Sequence, residues 1–561
     1  MRRDRLPYLL IPLAGLIAIL PLILRGPSCG HDFDFHILNW IEAATQFAHG
    51  NLHPRWAVSP AFNAGEPRFL FYPPISWTLG AILGLIMPWT WTPIVYTWLA
   101  VTASGLAMNH LAKHHTTPTA ALVASTLYLA NPYMLFTAYE RTAYAELLAA
   151  AFLPLLLHAI LKPHPTIPSI AIPLALLWLT NAPAAVMGTY TLALLALIRL
   201  IQIHLDKNTS VILSEAKNPR ILLEAPHLPA ETTTAKLALN TSLATLLGLG
   251  LSAFYILPAA YERRFVQIAM VNIPGMRIED NTLFHRTGLT EDALAHDAVL
   301  HTASLLAVLL LAATILALFL TRPNPTKKPI AILTATIAFL LTPIAAPIWH
   351  HLPELAFLQF PWRLLAILGT ALALSTAIAL KSLTLPTKLL IPTVLFLATA
   401  LTLPAARAFR QPCDDADTVQ ARLALFRSHA GTDPTDEYTP QTADNDVLNH
   451  HAPPYFLAED PDAPIPPNAP AGPAPLDLTL TPTTPTNLIL NLRQYPDWQI
   501  TLNDRPVPAT SPREDGLLTI PLPPGPDHIH LTFRTTPLEY AADALSLVAL
   551  LLLTLTRKLL P

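Results

Sequence analysis

Charge is the scarcest commodity in this sequence. Asp, Glu, Lys and Arg make up 13% of its 561 residues, against about 25% in soluble globular chains. A water-facing surface of ordinary composition is therefore excluded for much of the molecule. Cysteine is nearly absent. The two that occur, Cys29 and Cys413, exclude a disulfide scaffold and a multi-cysteine zinc centre. There is no basic block: 34 Lys and Arg stand against 37 Asp and Glu, which argues against nucleic acid as a partner. A Gly-rich phosphate loop is also missing, and with it that kind of nucleotide pocket.

What is present is apolar sequence, 52% of the residues, arranged in repeated charge-free stretches long enough to span a bilayer. The first 24 residues imitate a signal peptide, but no A-x-A-like cleavage site follows and many further spans do. The 58 prolines fall partly inside apolar runs, where membrane helices tolerate them. Orienting the spans by the Lys/Arg bias gives an α-helical polytopic protein of the inner (plasma) membrane with about twelve spans and both termini cytoplasmic. Residues 1–405 form the membrane domain, with outer loops at 25–70, 139–146, 261–297 and 346–363 and a polar inner insertion at 205–236. Single spans are expected at 119–138 and 168–183, and a re-entrant segment at 73–90. The stretch "HILNWIEAATQFAHG" in the first loop has the apolar spacing of an interfacial helix.

Residues 406–538 are polar and Pro-rich and form an extracytoplasmic domain, followed by a last span within 539–561. From about 475 to 535 the pattern alternates, as in "NLILNLRQ" and "HIHLTFRT", between Asn-Asp, Pro-Gly and Asp-Gly turn signals. That pattern reads as a small β-sandwich with its own core.

Four charged clusters collect on the outer side. The first is "HDFDFH", His31 to His36, with Glu66 and Arg68 further on. Charge at the mouth of a span is costly and rarely idle. An aspartate there, Asp32 or Asp34, suits a general base acting on a hydroxyl. His31, Asp34 and His36 are alternatively candidates to hold a divalent metal. The second cluster is Glu140, Arg141 and Glu146 in "YERTAYAEL", whose spacing keeps the two glutamates off one helix face unless the first precedes the helix. Acidic residues at a helix N-terminus are the plainer reading. The third is Glu262-Arg263-Arg264, and the fourth is Arg363 in "LQFPWRLL". Arginines at the outer ends of spans either grip a phosphate with paired hydrogen bonds or snorkel to the interface. Cys29 and Cys413 both fall outside, where a disulfide is permitted, and the sequence leaves their pairing open.

The strings "GHDFDFHILNW", "GEPRFLFYPP", "ANPYMLFTAYERTAYAELLA", "SAFYILPA", "FPWRLL", "GTDPTDEYTP" and "YPDWQITLNDRPV", in that order, resemble the multispan membrane family labelled 6-pyruvoyl-tetrahydropterin synthase-related. The label implies no pterin chemistry, and the sequence has no pterin zinc site. The layout is also similar to the GT-C glycosyltransferase superfamily: one span, a long outer loop opening with an aspartate, then many spans. That resemblance implies a sugar donor carried on polyprenyl phosphate, a catalytic Asp32 or Asp34, and the "YERTAYAE" loop as its partner. The expected reaction inverts the sugar, with His36 orienting the base and Arg141, Arg263 and Arg363 beside the leaving phosphate. Glu140 and Glu146 complete the expected binding set. Expected partners are membrane lipid, the lipid-linked donor, and a glycan, lipid or protein acceptor. No cofactor is certain. The rival functions are a transporter or flippase of a lipid-linked saccharide, and a non-catalytic assembly protein with a binding β domain.

Overall fold

The computed structural model describes residues 5–215, 234–448, 450–467 and 469–559. Arg2, Arg3 and most of the expected inner insertion lie outside them. Proline placement explains much of the helical layout. Pro7, Pro74, Pro93, Pro118, Pro132, Pro154 and Pro168 all sit in the first turn of a helix, where a missing N–H is harmless and the fixed φ is already helical.

Seven helices among the described residues are long and apolar enough to cross a membrane, and two bent pairs bring the total to nine. They include Pro7–Arg25, Glu291–Leu320, Thr387–Phe409 and Pro537–Thr556. Their outward faces leave large apolar side chains uncovered, among them Leu24, Phe319, Phe396 and Leu551. Phe319 is 83% exposed. Such a belt belongs in lipid, not water. The chain is thus an integral membrane protein by the length, apolarity and uncovered faces of its helices.

The count of about twelve is not reached by helices of that length among the described residues. The expected span 119–138 is cut into Pro118–Leu129 and Pro132–Tyr139, because the Asn131 side chain caps a new helix at Pro132. The expected span 168–183 is the 14-residue helix Ile167–Thr180. The span expected from 237 bends by 73° near Ser252, between Thr234–Leu251 and the helix beginning at Ala253. The segment 73–90 contains one short helix, Pro74–Ile86, and the first-loop stretch forms the helix Phe33–Ala48.

The C-terminal module is a two-sheet antiparallel sandwich. Its strands are β1 (Tyr455–Ala458), β2 (Asp477–Leu480), β3 (Thr486–Arg493), β4 (Trp498–Leu502), β5 (Arg505–Val507), β6 (Leu517–Leu522) and β7 (Asp527–Phe533). One sheet has the order β1-β3-β6 and the other β2-β7-β4-β5. Asn503 and Asp504, both at positive φ, make the tight β4–β5 hairpin. The module therefore begins about twenty residues before the expected 475 (at β1, Tyr455).

Its core is also not wholly its own. Leu488, Leu490, Ile520, Ile529 and Leu531 pack between the sheets together with Trp56 and Leu70 of the first loop and Val266 of the second. The other face of β3 is covered by Ala61, Ala64 and Leu448. Residues 488–493 are consequently buried on both faces, and the alternation seen in the sequence does not appear as alternating burial. Cys29 and Cys413 form a disulfide that fastens the first loop to the start of residues 406–538.

Candidate functional site

The site is assembled on a close backbone approach. Residues 30–32 run against residues 140–141: His31 N–H donates to Glu140 O at 3.3 Å and Asp32 N–H to Arg141 O at 2.9 Å. Gly30 makes this possible, since a Cβ there would lie 2.0 Å from Glu140 O. The helix Phe33–Ala48 starts one residue later, with Asp32 at its N-cap position. The Asp32 side chain is 43% exposed and lines a cavity of about 550 Å³.

Asp34 goes elsewhere. Two residues on in a helix is roughly 200° of rotation, and Asp34 meets the helix Val419–Arg427 instead. Its Oδ1 accepts from Arg422 Nε at 2.8 Å, and Arg422 Nη2 lies 2.5 Å from its Oδ2. Arg422 also reaches Asp417 at 2.6 Å.

Behind Asp32 lies a buried charge cluster. Arg141 donates to Glu146 Oε2 at 2.7 Å, Tyr133 donates to Glu146 Oε1 at 2.6 Å, and Arg363 Nε lies 3.6 Å from Glu146 Oε2. Arg141 Nη2 is 4.0 Å from Asp32 Oδ2. Two guanidiniums thus face two carboxylates. Burial alone would pull the Arg141 guanidinium down, but Glu146, Tyr133 and Asp32 more than offset it and hold Arg141 above its ordinary value. Arg141 rests over the Trp362 ring and Arg363 over Phe360. Between Arg141 and the helix Tyr144–Ala149, Thr142 sits at φ 49°. A β-branched residue in the left-handed region is strained, and such strain concentrates at functional sites.

The remaining expected residues divide. Arg263 lines the cavity but is paired at the rim with Glu354, at 3.1 Å. Glu140 turns away and accepts from Gln411 at 2.6 Å, with His31 3.9 Å away. Burial lifts the Glu140 carboxyl above its ordinary value. His36 lines the cavity within an aromatic nest of Phe35, Trp40, Tyr72 and Tyr144. Burial pushes its imidazole down to about 4. Its backbone N–H, not its ring, bonds to Asp32, through the carbonyl at 3.2 Å.

The metal candidates His31, Asp34 and His36 do not converge. The grouping that the described residues offer is a different one, His110, His114 and His158. The reason is again helical rotation: Asp34 is committed to Arg422 on one side while His36 points inward. Glu66 and Arg68 are structural. Arg68 donates to Glu66 at 2.6 Å, to Asn39 at 2.9 Å and to Thr435 at 2.8 Å, and Glu66 accepts from Thr435 N–H at 2.9 Å. Glu262 accepts from Tyr495 and so holds the β module.

That Glu66–Arg68 clamp delivers what residue-by-residue reading missed. Thr435, Glu437 and Tyr438, from the segment between the helix Val419–Arg427 and the β module, line the cavity, together with Tyr72 and Tyr255. Burial raises the Glu437 carboxyl above its ordinary range. The available signal was the string "GTDPTDEYTP": Gly431 is at φ +80°, packed so closely that a Cβ would lie 2.6 Å from Asn63 N. The opposite wall is apolar, with Trp178, Val186, Ile256, Ala259, Phe357 and Leu358. The cavity therefore joins an apolar wall to the half-exposed Asp32 carboxylate and the guanidiniums of Arg141 and Arg363. It can accommodate an amphiphile with an anionic group, and it offers a proton acceptor beside it.

No family model and no curated protein matches the chain, so the resemblance to the family labelled 6-pyruvoyl-tetrahydropterin synthase-related has no such match behind it. Among solved structures, the chain is similar to the arabinofuranosyltransferase AftD from Mycobacteria, with 16% identity, a TM-score of 0.43, and coverage of 72% of this chain and 27% of that one. It is also similar to the Archaeoglobus fulgidus oligosaccharyltransferase, with 15% identity, a TM-score of 0.37, and coverage of 78% and 57%. The chain thus spans about a quarter of the first protein and just over half of the second, and the functional reading below takes no weight from either.

Proposed function

We propose that this chain is an integral-membrane glycosyltransferase that takes its sugar from a polyprenyl-phosphate donor. The observation that carries the reading is the convergence of Asp32, Arg141 and Arg363 on one cavity with an apolar wall. The lipid portion of the donor lies along that wall, and its phosphate sits toward Arg141 and Arg363. Asp32 accepts the proton of the acceptor hydroxyl as the oxygen attacks the anomeric carbon. The bond from that carbon to the phosphate oxygen breaks, and the leaving phosphate keeps the electron pair. The two guanidiniums stabilise the charge that develops there. One base and one displacement invert the anomeric centre, by analogy with single-displacement glycosidases.

Glu146 takes no proton in this scheme. Shared between two cations, it fixes both and stays ionised. His36 is a packing partner of the Asp32 segment, and Glu437 and Thr435 form the side from which an acceptor enters. The cavity faces the extracytoplasmic side, with residues 406–538 outside and both termini in the cytoplasm. The Cys29–Cys413 disulfide supports that placement, because such bonds persist in oxidising compartments.

The test uses the purified full chain in lipid nanodiscs with a panel of radiolabelled polyprenyl-phosphate sugars and membrane glycan acceptors. Release of polyprenyl phosphate together with labelled, inverted product is expected. A chain that moves the donor between leaflets and leaves the sugar–phosphate bond intact would be a transporter, and the proposal would fall.

A further inference from the structure

A second constellation, which the proposed reaction does not use, lies where the helices Thr92–Ala112 and Leu153–Leu161 end. His110 lies in the last turn of the helix Thr92–Ala112, and His114 follows just past its end. The four-residue spacing puts the pair on one face. His158 comes from the helix Leu153–Leu161. Ring centres are 5.1 Å apart for His110 and His114, 4.7 Å for His110 and His158, and 4.3 Å for His114 and His158. One ring nitrogen from each lies within 4.8 Å of the other two.

Two further observations point to a ligand. His158 is 5% exposed, and its Nδ1 is buried with no hydrogen-bond partner. Buried polar atoms are rarely left so. His114 Nδ1 is 2.8 Å from the His110 carbonyl. Donation to that carbonyl fixes the tautomer and leaves Nε2 with its lone pair outward, the arrangement that orients imidazole ligands in metal sites.

We propose that His110, His114 and His158 bind one transition-metal ion of the Zn²⁺ class, with water in the fourth position. Three imidazoles select zinc, copper, nickel or cobalt over the oxygen-seeking Mg²⁺ and Ca²⁺. With metal–nitrogen bonds of about 2.0–2.1 Å, a tetrahedral site needs nitrogens about 3.4 Å apart. His110 and His114 are exposed, so small rotations of two surface rings close the difference. Lys113 and Lys162 are the charged groups that act on the cluster. Lys113 is exposed.

The site is separate from the cavity. Tyr96, on the same helix as His110, stacks on Trp40 with ring centres 4.8 Å apart and meets Tyr144, in the aromatic nest behind Asp32. Fourteen residues of helix place His110 roughly 21 Å further along. A bound ion would pin the end of Thr92–Ala112 to Leu153–Leu161, the continuation of the segment that carries Glu146.

The experiment is Co²⁺ and Zn²⁺ binding to the purified full chain, prepared without a histidine tag because the sequence already has 21 histidines. One Co²⁺ per chain with the strong visible absorption of tetrahedral cobalt is expected, displaced by Zn²⁺. His110→Ala and His114→Ala alter exposed residues, so both proteins should fold, and each should weaken binding by at least about tenfold to a hundredfold. His158→Ala should do the same if it folds. If it does not, the two exposed variants decide. Equal affinity and stoichiometry in wild type, His110→Ala and His114→Ala would overturn the proposal. So would binding that folded His158→Ala leaves intact, which would mean a surface pair only. None of these readouts depends on sugar transfer, so the metal site and the proposed function fail independently.

Discussion

Replacing Glu146 by glutamine removes the carboxylate that two buried guanidiniums share. Glu146 is 4% exposed, accepts from Arg141 at 2.7 Å and Tyr133 at 2.6 Å, and stands 3.6 Å from Arg363 Nε. The side chain keeps its shape in Glu146→Gln, so no cavity forms. The charge balance does change. Before the substitution, Arg141 and Arg363 are matched by Glu146 and Asp32. Afterwards Asp32 alone remains, and it is half in water. Breaking a buried ion pair from one side costs on the order of 3–5 kcal/mol, because the orphaned charge stays desolvated. Unfolding of purified protein in detergent, followed by fluorescence, should show a loss of that size.

The same reasoning fixes two companion results. Adding Arg363→Met to Glu146→Gln should recover part of the loss, since an unmatched cation is removed along with its former partner. A soluble phosphate or pyrophosphate should stabilise Glu146→Gln more than the wild type, because an anion bound from the cavity side then offsets the unmatched charge of Arg141 and Arg363. If the two substitutions add to within about 0.5 kcal/mol, and phosphate has no preference for the variant, the cluster is not the shared charge site described above.

Gly30→Ala should fold but displace residues 30–32, and Asp32 with them. A Cβ at Gly30 would sit 2.0 Å from Glu140 O, so residues 30–32 must shift, and a displacement of that size costs roughly 10²-fold in rate. Unchanged transfer by the alanine variant would refute the close approach. Cys29 and Cys413 should resist thiol labelling until reductant is added, and Cys413→Ser should lower stability by about 2–4 kcal/mol. Labelling of both thiols without reduction would contradict the bond. The His36 imidazole is held down to about 4 by burial, against an ordinary value of about 6.5. Its contribution is therefore intact above about pH 6.5 and is lost as pH falls toward 4, by about 3 kcal/mol in all. His36→Gln should flatten the stability profile across that window, and an equally steep fall in the variant would count against it.

The features that were legible in the sequence are the ones set by composition and local pattern. Charge-free length gave the membrane class, and period-two alternation with turn residues located most of the sandwich strands. Broken spans were hard to read because apolar length says nothing of a cap: Asn131 followed by Pro132 restarts a helix inside what looks like one run. Strand β1 was missed because "YFLA" is too short to show alternation and is paired only through β3. In the site, Asp32 and Asp34 are indistinguishable by type. What separates them is Arg422, 388 residues from Asp34. Glu437 and Tyr438 are held at the cavity by the Glu66–Arg68–Thr435 clamp and by the stacking of Tyr438 on Phe71. Contacts between such distant residues leave no local pattern. Arg141, Glu146 and Arg363 were each singled out in the sequence, but the sharing of Glu146 between the two guanidiniums was not, because Arg363 lies more than 200 residues away.

Side-by-side transfer assays of Asp32→Asn and Asp34→Asn test the central claim most directly. Both changes are isosteric, and both proteins should reach the membrane at wild-type levels. Asp32 faces the cavity, so its loss removes the proton acceptor, worth about 10²–10⁴-fold in rate. Asp34 is paired with Arg422 away from the cavity, and that partly exposed pair is worth about 0–1 kcal/mol, so Asp34→Asn should transfer at close to the wild-type rate. Equal, mild losses in both variants, with activity retained in the double variant, would contradict the assignment of Asp32 as the base.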